Sequence, residues 1–319
     1  MNTYILKRIL ITIPLLLGIT VITFSLIHLA PGDPVTGMID PTRGNLDAEA
    51  IARERSRLGL DKPLPVQYVL WLGRVVRGNL SYSLINQKPV SQLIGDRILS
   101  TLQLTVTALA VSIVVGITIG IISAVKQYSW LDSLFTFLSF SAVSIPGFFL
   151  ALGLIYLFAL KLQWLPTSGM ETLGAPPSLW DKVKHMIMPV SVLSVTMTAP
   201  LVRYARSSML EILNQEYLTV ARSKGLQEWL VLLRHGLPNA LIPVITIIGL
   251  RLPSLFGGSV IVEQIFHWPG IGSLNIWAVQ NQDYTVLMGL NMVSATLILF
   301  ANLFTDIAYA VVDPRVRYE

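Results

Sequence analysis

The chain has 319 residues, of which 53% are hydrophobic and 13% charged, with a mean hydropathy of +0.64. Soluble domains carry about 25% charged residues, so this composition excludes a soluble globular core and points to an all-α polytopic membrane protein. The net charge of +5 is not gathered into a basic stripe with interleaved aromatics, which excludes a nucleic-acid footprint. The lack of Cys excludes disulfides and thiolate metal sites, and His28, His185, His235 and His267 are too scattered to form a metal-binding pair, so no metal is assigned.

The first apolar run, Ile9 to Ala30, is long enough to cross ~30 Å of hydrocarbon. Leu29-Ala30-Pro31 offers no small-any-small cleavage site, so the run is expected to stay as a first membrane helix rather than be removed as a signal peptide. Residues 31–97 form the one long polar region. There, Asp47 to Leu58 and Val66 to Val76 are predicted helices, separated by a Pro-interrupted turn over Leu60 to Pro65, with Tyr68 and Trp71 facing apolar surroundings.

Five further spans follow. The second is Thr101 to Val125. The third, Leu131 to Leu160, is interrupted by Ser144-Ile145-Pro146-Gly147, where the freed carbonyls need a neighbour or water. Two readings stand there, a packing kink and a hinge or pathway wall. Lys161 to His185 is a loop whose Trp164 and Trp180 suit a headgroup belt. The fourth span, Met186 to Tyr204, is expected to be short because Pro189 and Pro200 punctuate it. The fifth is Ala240 to Val262 and the sixth Thr285 to Val312, with the linker Glu263 to Gly272 after the fifth. The resulting scheme is an N-terminal membrane helix over 1–30, an extracytoplasmic region over 31–97, and a five-helix core over 98–319.

Arg251 falls near the middle of the fifth span, beside Pro253, Gly257 and Gly258. A buried Arg costs about 2.5–3.5 kcal/mol on insertion scales, so it should face a water-filled cavity or an acid. Glu263 and Asp306 are the candidate partners within the chain, and a second subunit is another. A snorkelling or ion-paired structural Arg is the alternative to a pathway role. Arg251, Pro146, Gly257, Gly258 and Glu263 are thus the candidate lining of a translocation pathway.

Between spans four and five lies the longest amphipathic, charge-bearing segment, Asn214 to Pro238, within a loop of 207–238. Asn214 is expected to cap a short helix with Glu216 in its first turn, and Gly225 to end it with a left-handed residue. A second helix over Gln227 to Arg234 should stop at Pro238. Taken alone this is a surface helix resting on the membrane. With the N-terminus inside, the inner loops hold Lys7, Arg8, Lys126, Arg203, Arg206, Arg222, Lys224, Arg234, Arg315 and Arg317, against Lys161, Lys182 and Lys184 in the short outer loops. The positive-inside rule therefore puts both termini and the 207–238 loop in the cytoplasm.

The spacing of that loop resembles the Glu-Ala-Ala loop of ABC importer permeases. Thr219, Val220 and Ala221 fall on the Glu-Ala-Ala positions, Gly225 on the Gly, and His235, Leu237 and Pro238 on the closing Ile-any-Leu-Pro; Thr219 and His235 depart from the pattern. The wording TVARSKG with LLRHGLPNALIPV is closer to the oligopeptide/dipeptide branch. So is the order PGDP, LGLDKPLPVQY, GNLSYS and KPV, where Asn79 and Ser81 replace the usual Asp and Gly. GGSVIVEQIFHWPGIGSL, NQDYTV and ANLFTDIAYAVVDPRVR carry the resemblance to the carboxyl end. The chain thus resembles the B-type of the two permeases of oligopeptide, dipeptide and nickel importers. The resemblance implies the six-helix type I ABC importer permease fold. It also implies a sister C-type permease, two cytoplasmic ATPases holding ATP and Mg, and an extracytoplasmic solute-binding protein, with no cofactor bound by this chain. It further implies ATPase coupling through Glu216, Tyr217, Thr219, Ala221, Arg222, Lys224, Gly225, Leu237 and Pro238. Ala221 and Gly225 would allow close approach, and Arg222 and Lys224 would meet acids on the partner.

The sequence holds no HExxH, GxSxG or GxxxxGK[ST] motif, so it is read as a non-enzyme that borrows its energy source. A nickel or other small-solute importer of the same family is the alternative within that reading. A secondary transporter acting alone would need inverted halves and an ion-coupling site, and neither is found.

Overall fold

A computed structural model of the protein describes residues 2–29, 56, 61–176, 178–257 and 259–312. The predicted helix over Asp47 to Leu58 lies, except for Ser56, outside the described residues. The described elements are helical: α1 (Asn2–Leu29), α2 (Leu64–Val76), α3 (Val90–Val125), α4 (Trp130–Ser144), α5 (Gly147–Leu154), α6 (Leu179–Leu213), α7 (Glu216–Ser223), α8 (Glu228–Val231), α9 (Leu237–Gly249), α10 (Val260–Ile265), α11 (Ile271–Gln280) and α12 (Tyr284–Val312). Four helical stretches are long and apolar enough to cross a membrane: α3, α6, residues 228–249, and α12. The pair α4 and α5, with its π-helical extension Ile155–Lys161, makes a fifth candidate, bent by 102°. With α1, at 28 residues, each of the six predicted spans has a helix. Their outward faces are apolar, with Val114, Phe137, Phe140, Phe300 and Phe304 all exposed, as lipid-facing helices require.

Two compact units share the chain, and neither is a contiguous stretch. The first comprises residues 1–101, 256–260 and 269–319. Here α1 runs along α12, tied by Arg8 to Asp306 at 3.1 Å. Asp306 is therefore engaged by Arg8. The helix α2 lays Tyr68 and Trp71 against Phe24 and Met292, and Thr20 Oγ1 hydrogen-bonds Tyr68 Oη at 2.7 Å. The predicted apolar setting of Tyr68 and Trp71 is thus observed. The start of α3 carries Val90 and Ile94 against Ile271, Leu274, Val286 and Leu290. That amphipathic stretch explains why α3 begins eleven residues before the apolar run of the predicted second span: its apolar positions recur at helical spacing. At Gly289 a Cβ would lie 2.5 Å from Val90 Cγ1, so glycine permits the contact.

The polar words GNLSYS and NQDYTV meet in this unit. Asp283 is fully buried; it accepts from the Ser83 hydroxyl and from the Val286 backbone N–H at 3.2 Å. Ser81 has φ of +67°, a left-handed conformation that favours Gly. The Asn79 side chain accepts its N–H at 2.9 Å and holds that turn.

The second unit comprises residues 102–255 and 261–268. Its centre is α6, which packs on α4, α5 and α9. Gly116 and Gly120, spaced four apart on α3, let the α6 backbone approach: a Cβ at Gly120 would lie 2.6 Å from Ala205 Cβ and 2.8 Å from Val202 O. Small-residue pairs at this spacing are how membrane helices pack without a hydrophobic driving force between them. Leu104, Ala108, Ala151, Met188, Val192, Phe266 and Trp268 form the largest core cluster.

Three sequence expectations are corrected here. Pro189 and Pro200 do not shorten the fourth span. The helix runs unbroken over 35 residues, extended at both ends by amphipathic turns, and Ser191, Ser194 and Thr198 turn their hydroxyls back onto the carbonyls of Ile187, Ser191 and Ser194 within the same helix. Pro146 does more than kink the third span. Ile145 is extended (φ −84°, ψ 121°), the conformation that a following proline favours, and the helix breaks outright. The fifth span is not continuous from Ala240 to Val262. It ends at Gly249, gives way to a 3₁₀ turn over Leu252–Leu255, and resumes at Val260.

Candidate functional site

The polar loop after α6 folds into a compact cap. Asn214 does not start α7. It closes α6, with its side-chain amide donating to Leu210 O at 3.0 Å, and Gln215, extended at ψ 142°, takes the N-cap position. The helix α7 buries Leu218 and Ala221 against Val231, Ile212 and Leu213. Gly225 has φ of +78°, the left-handed residue expected to end the helix. A Cβ there would meet nothing within 4 Å, so the glycine serves the turn and not a contact within the chain. Beyond it, Pro238 does not stop the second helix. The backbone widens into a π turn over Leu232–Gly236, in which the Leu237 N–H reaches back five residues to Leu232 O. Pro238, which has no N–H to donate, follows directly on this wider turn and the helix runs past it. Residues 228–249 therefore read as one helical stretch that starts in the loop and enters the membrane candidate.

Most of the residues expected to couple fall on this cap, divided between its two sides. Glu216, Tyr217, Thr219, Lys224 and Gly225 are exposed, and so is Pro238 at the start of α9; Leu237 is half-buried. Ala221 is not available for close approach by a partner, because its methyl packs inward at 8% exposure. Arg222 is engaged within the chain, its Nε donating to Glu228 Oε2 at 3.0 Å and its Nη2 to Oε1 at 2.9 Å. Those hydrogen bonds hold the Arg222 pKa above its ordinary value, and the ion pair clips the turn across Gly225. Lys224 is the basic residue of the pair left facing outward.

Residues not expected to couple complete the outer face beside Tyr217. Tyr217 is 41% exposed, Val220 53% and Trp229 58%, with Leu226 and Leu233 also exposed. A polar loop that leaves an aromatic pair and three aliphatic side chains uncovered has the composition of an interaction surface. The signal was present as Trp229 and Val220 standing on the opposite side of their helices from Leu218, Ala221 and Val231.

The candidate pathway residues are spread over separate elements. Pro146 caps α5 at the break of the third span, exposed. Arg251 lies in the turn after α9, not mid-helix; its N–H bonds Ile248 O and its side chain is exposed. Glu263, on α10, is fully buried at 0% exposure. Gly257 is exposed, and Gly258 lies outside the described residues.

Comparison with known proteins places this architecture. Residues 116–318 match the family described as binding-protein-dependent transport system inner membrane component, and residues 1–105 match the N-terminal component of the same kind of protein. The chain is 44% identical, over the full length of both, to the oligopeptide transport system permease protein AppB of Bacillus subtilis (strain 168). It is 38% identical over the full length of both to the dipeptide transport system permease protein DppB of Alkalihalophilus pseudofirmus, and equally so to the glutathione transport system permease protein GsiC of Salmonella paratyphi A. In fold it is similar to a chain of the MetNI methionine ABC transporter in an inward-facing conformation, with a TM-score of 0.57 and 16% identity over 70% of this chain and 97% of that one. The chain belongs to the family of binding-protein-dependent transport system inner membrane components, the permease subunits of ABC importers.

Proposed function

We propose that this chain is one of two permeases forming the pore of an ATP-driven peptide importer, fed by an extracytoplasmic binding protein and driven by two cytoplasmic ATPases. ATP and Mg are held by those ATPases. Both termini and the α7–α8 cap lie in the cytoplasm, and α7 seats in a groove of one ATPase. The observation that carries this reading is the two-sided cap. Its inner side is locked to the end of α6 through Leu218, Ala221 and Val231, and its outer side presents Tyr217, Val220 and Trp229 uncovered. A lever needs that combination, a rigid attachment and a free gripping face. Peptides are the proposed solute because AppB, DppB and GsiC are named for oligopeptide, dipeptide and glutathione transport. Alternating access would move the broken third and fifth spans, which carry Pro146 and Arg251, around the solute.

The test is purification of the tagged chain from its native membrane, followed by uptake in proteoliposomes. Co-purified ATPases and ATP-dependent peptide uptake are expected. Gly225→Asp, which forces a carboxylate and a side chain into the left-handed turn, should leave membrane insertion intact while removing both the ATPases and the uptake. Normal uptake in that variant, or ion-driven uptake by the chain alone, would overturn the assignment.

A further inference from the structure

The last two turns of α6 are bonded to several neighbours within the second unit. Ala205 faces Gly120 of α3. Ser208 Oγ donates to Ala240 O of α9 at 2.8 Å. Ile212 and Leu213 receive Leu218, Ala221 and Val231. Against α4 the link is an ion pair: Arg206 Nε donates to Asp132 Oδ1 and Nη2 to Oδ2, both at 2.7 Å. The Asp132 side chain is 6% exposed. It also accepts the Tyr128 N–H at 3.1 Å and the Thr136 hydroxyl at 3.5 Å, while its own N–H is capped by Ser129 Oγ at 3.3 Å. The carboxylate is thus fixed to the first turn of α4. The guanidinium sits seven residues before the end of the helix that carries α7.

We propose that Asp132 and Arg206 are positioning residues that make the broken third span, α4 with α5, move with the coupling helix. Three features favour this over a plain stabilising contact. The pair is bidentate, so it transmits rotation as well as translation, where a single contact would swivel. It joins α6 to α4 at the opposite end of α4 from the Ile145-Pro146 break, so displacement of α6 is delivered to the start of a rigid 15-residue helix that ends in a joint. An ion pair whose guanidinium is 29% exposed is also a modest source of stability alone. The inference rests on the reading of α7 as the ATPase contact.

The experiment uses the complete importer in proteoliposomes and reads three quantities: ATPase co-purification, ATP hydrolysis, and solute taken up per ATP hydrolysed. Asp132→Asn keeps an acceptor for the Tyr128 N–H, because the amide oxygen can take that bond, yet removes the charge. The expected result is retained co-purification and hydrolysis within about twofold, with uptake per ATP reduced about tenfold. The double variant Asp132→Asn with Arg206→Met removes the stranded guanidinium as well. It should recover thermal stability but not uptake per ATP. Recovery of coupling in the double variant would reduce the pair to a stability device and overturn the proposal, as would normal coupling in Asp132→Asn. Loss of the ATPases from the unmutated chain would instead refute the α7 reading, so the two failures are distinguishable.

Discussion

Trp229 offers the sharpest test of the exposed cap, because its ring contributes little to the fold. Its indole N–H donates to Gln227 within the same turn, and it belongs to no buried cluster. A tryptophan side chain buries on the order of 200 Å² when fully covered. At 58% exposure, roughly 120 Å² is left for a partner to cover, worth about 3 kcal/mol at 25 cal/mol per Å². Some of that is lost to ordering the interface, leaving about 2 kcal/mol, or about thirtyfold in affinity. Trp229→Ala should therefore weaken ATPase association about thirtyfold in a titration of purified ATPase against the permease in nanodiscs, with the thermal midpoint of the permease unchanged. Unchanged affinity would refute the reasoning that this ring is covered in the assembly. A fall in the thermal midpoint would refute the claim that it is free of the core.

Leu218→Ala empties a fully buried position beneath α7. It should cost about 2–5 kcal/mol locally, seen as faster proteolytic cleavage in residues 214–227 with the rest of the chain protected. Gly120→Val sets a side chain where even a Cβ would lie 2.8 Å from the Val202 carbonyl. It should destabilise the α3–α6 contact by about 1–3 kcal/mol, read as a lower thermal midpoint in detergent. Ser81→Gly relieves a left-handed residue and should raise stability by about 1 kcal/mol, read by the same midpoint.

Much of this architecture can be read from the sequence where apolar length alone decides. The last helix begins at Tyr284 against an expected Thr285, and α2 covers the predicted Val66 to Val76. Proline is where the reading fails, in both directions. Pro189, Pro200 and Pro238 are absorbed into helices, while Pro146 breaks one. The difference lies in the neighbours. At Pro189 and Pro200 α6 carries on past the missing donors, and at Pro238 a π turn widens the backbone, whereas extended Ile145 leaves α4 no continuation. Hydropathy likewise ran the fifth span through Arg251, because Leu252, Pro253, Leu255 and Phe256 are apolar although they fold as a turn. The helix α11 was not expected: its first two residues fell in the linker and the rest in no element, since it is short and packs on Val90 and Ile94, far away in sequence.

The motif spacing located the coupling cap but not its polarity. Ala221 sits on the family's small-residue position, and only the packing against Val231 and Ile212 reveals that it faces inward. The Arg222–Glu228 pair spans six residues across Gly225, a separation that no helical periodicity marks. The exposed face of Tyr217, Val220 and Trp229 follows once those inward residues are known.

The chain contains no Cys, so a single photoreactive residue or a single introduced thiol reports one place without background. A photocrosslinker at Val220, in intact cells expressing the complete importer, tests the central claim most directly. The account predicts a covalent adduct with an ATPase subunit, and labelling of a thiol at that position only by reagents that enter the cytoplasm. Adducts with lipid alone, or labelling by an impermeant reagent from outside, would contradict it.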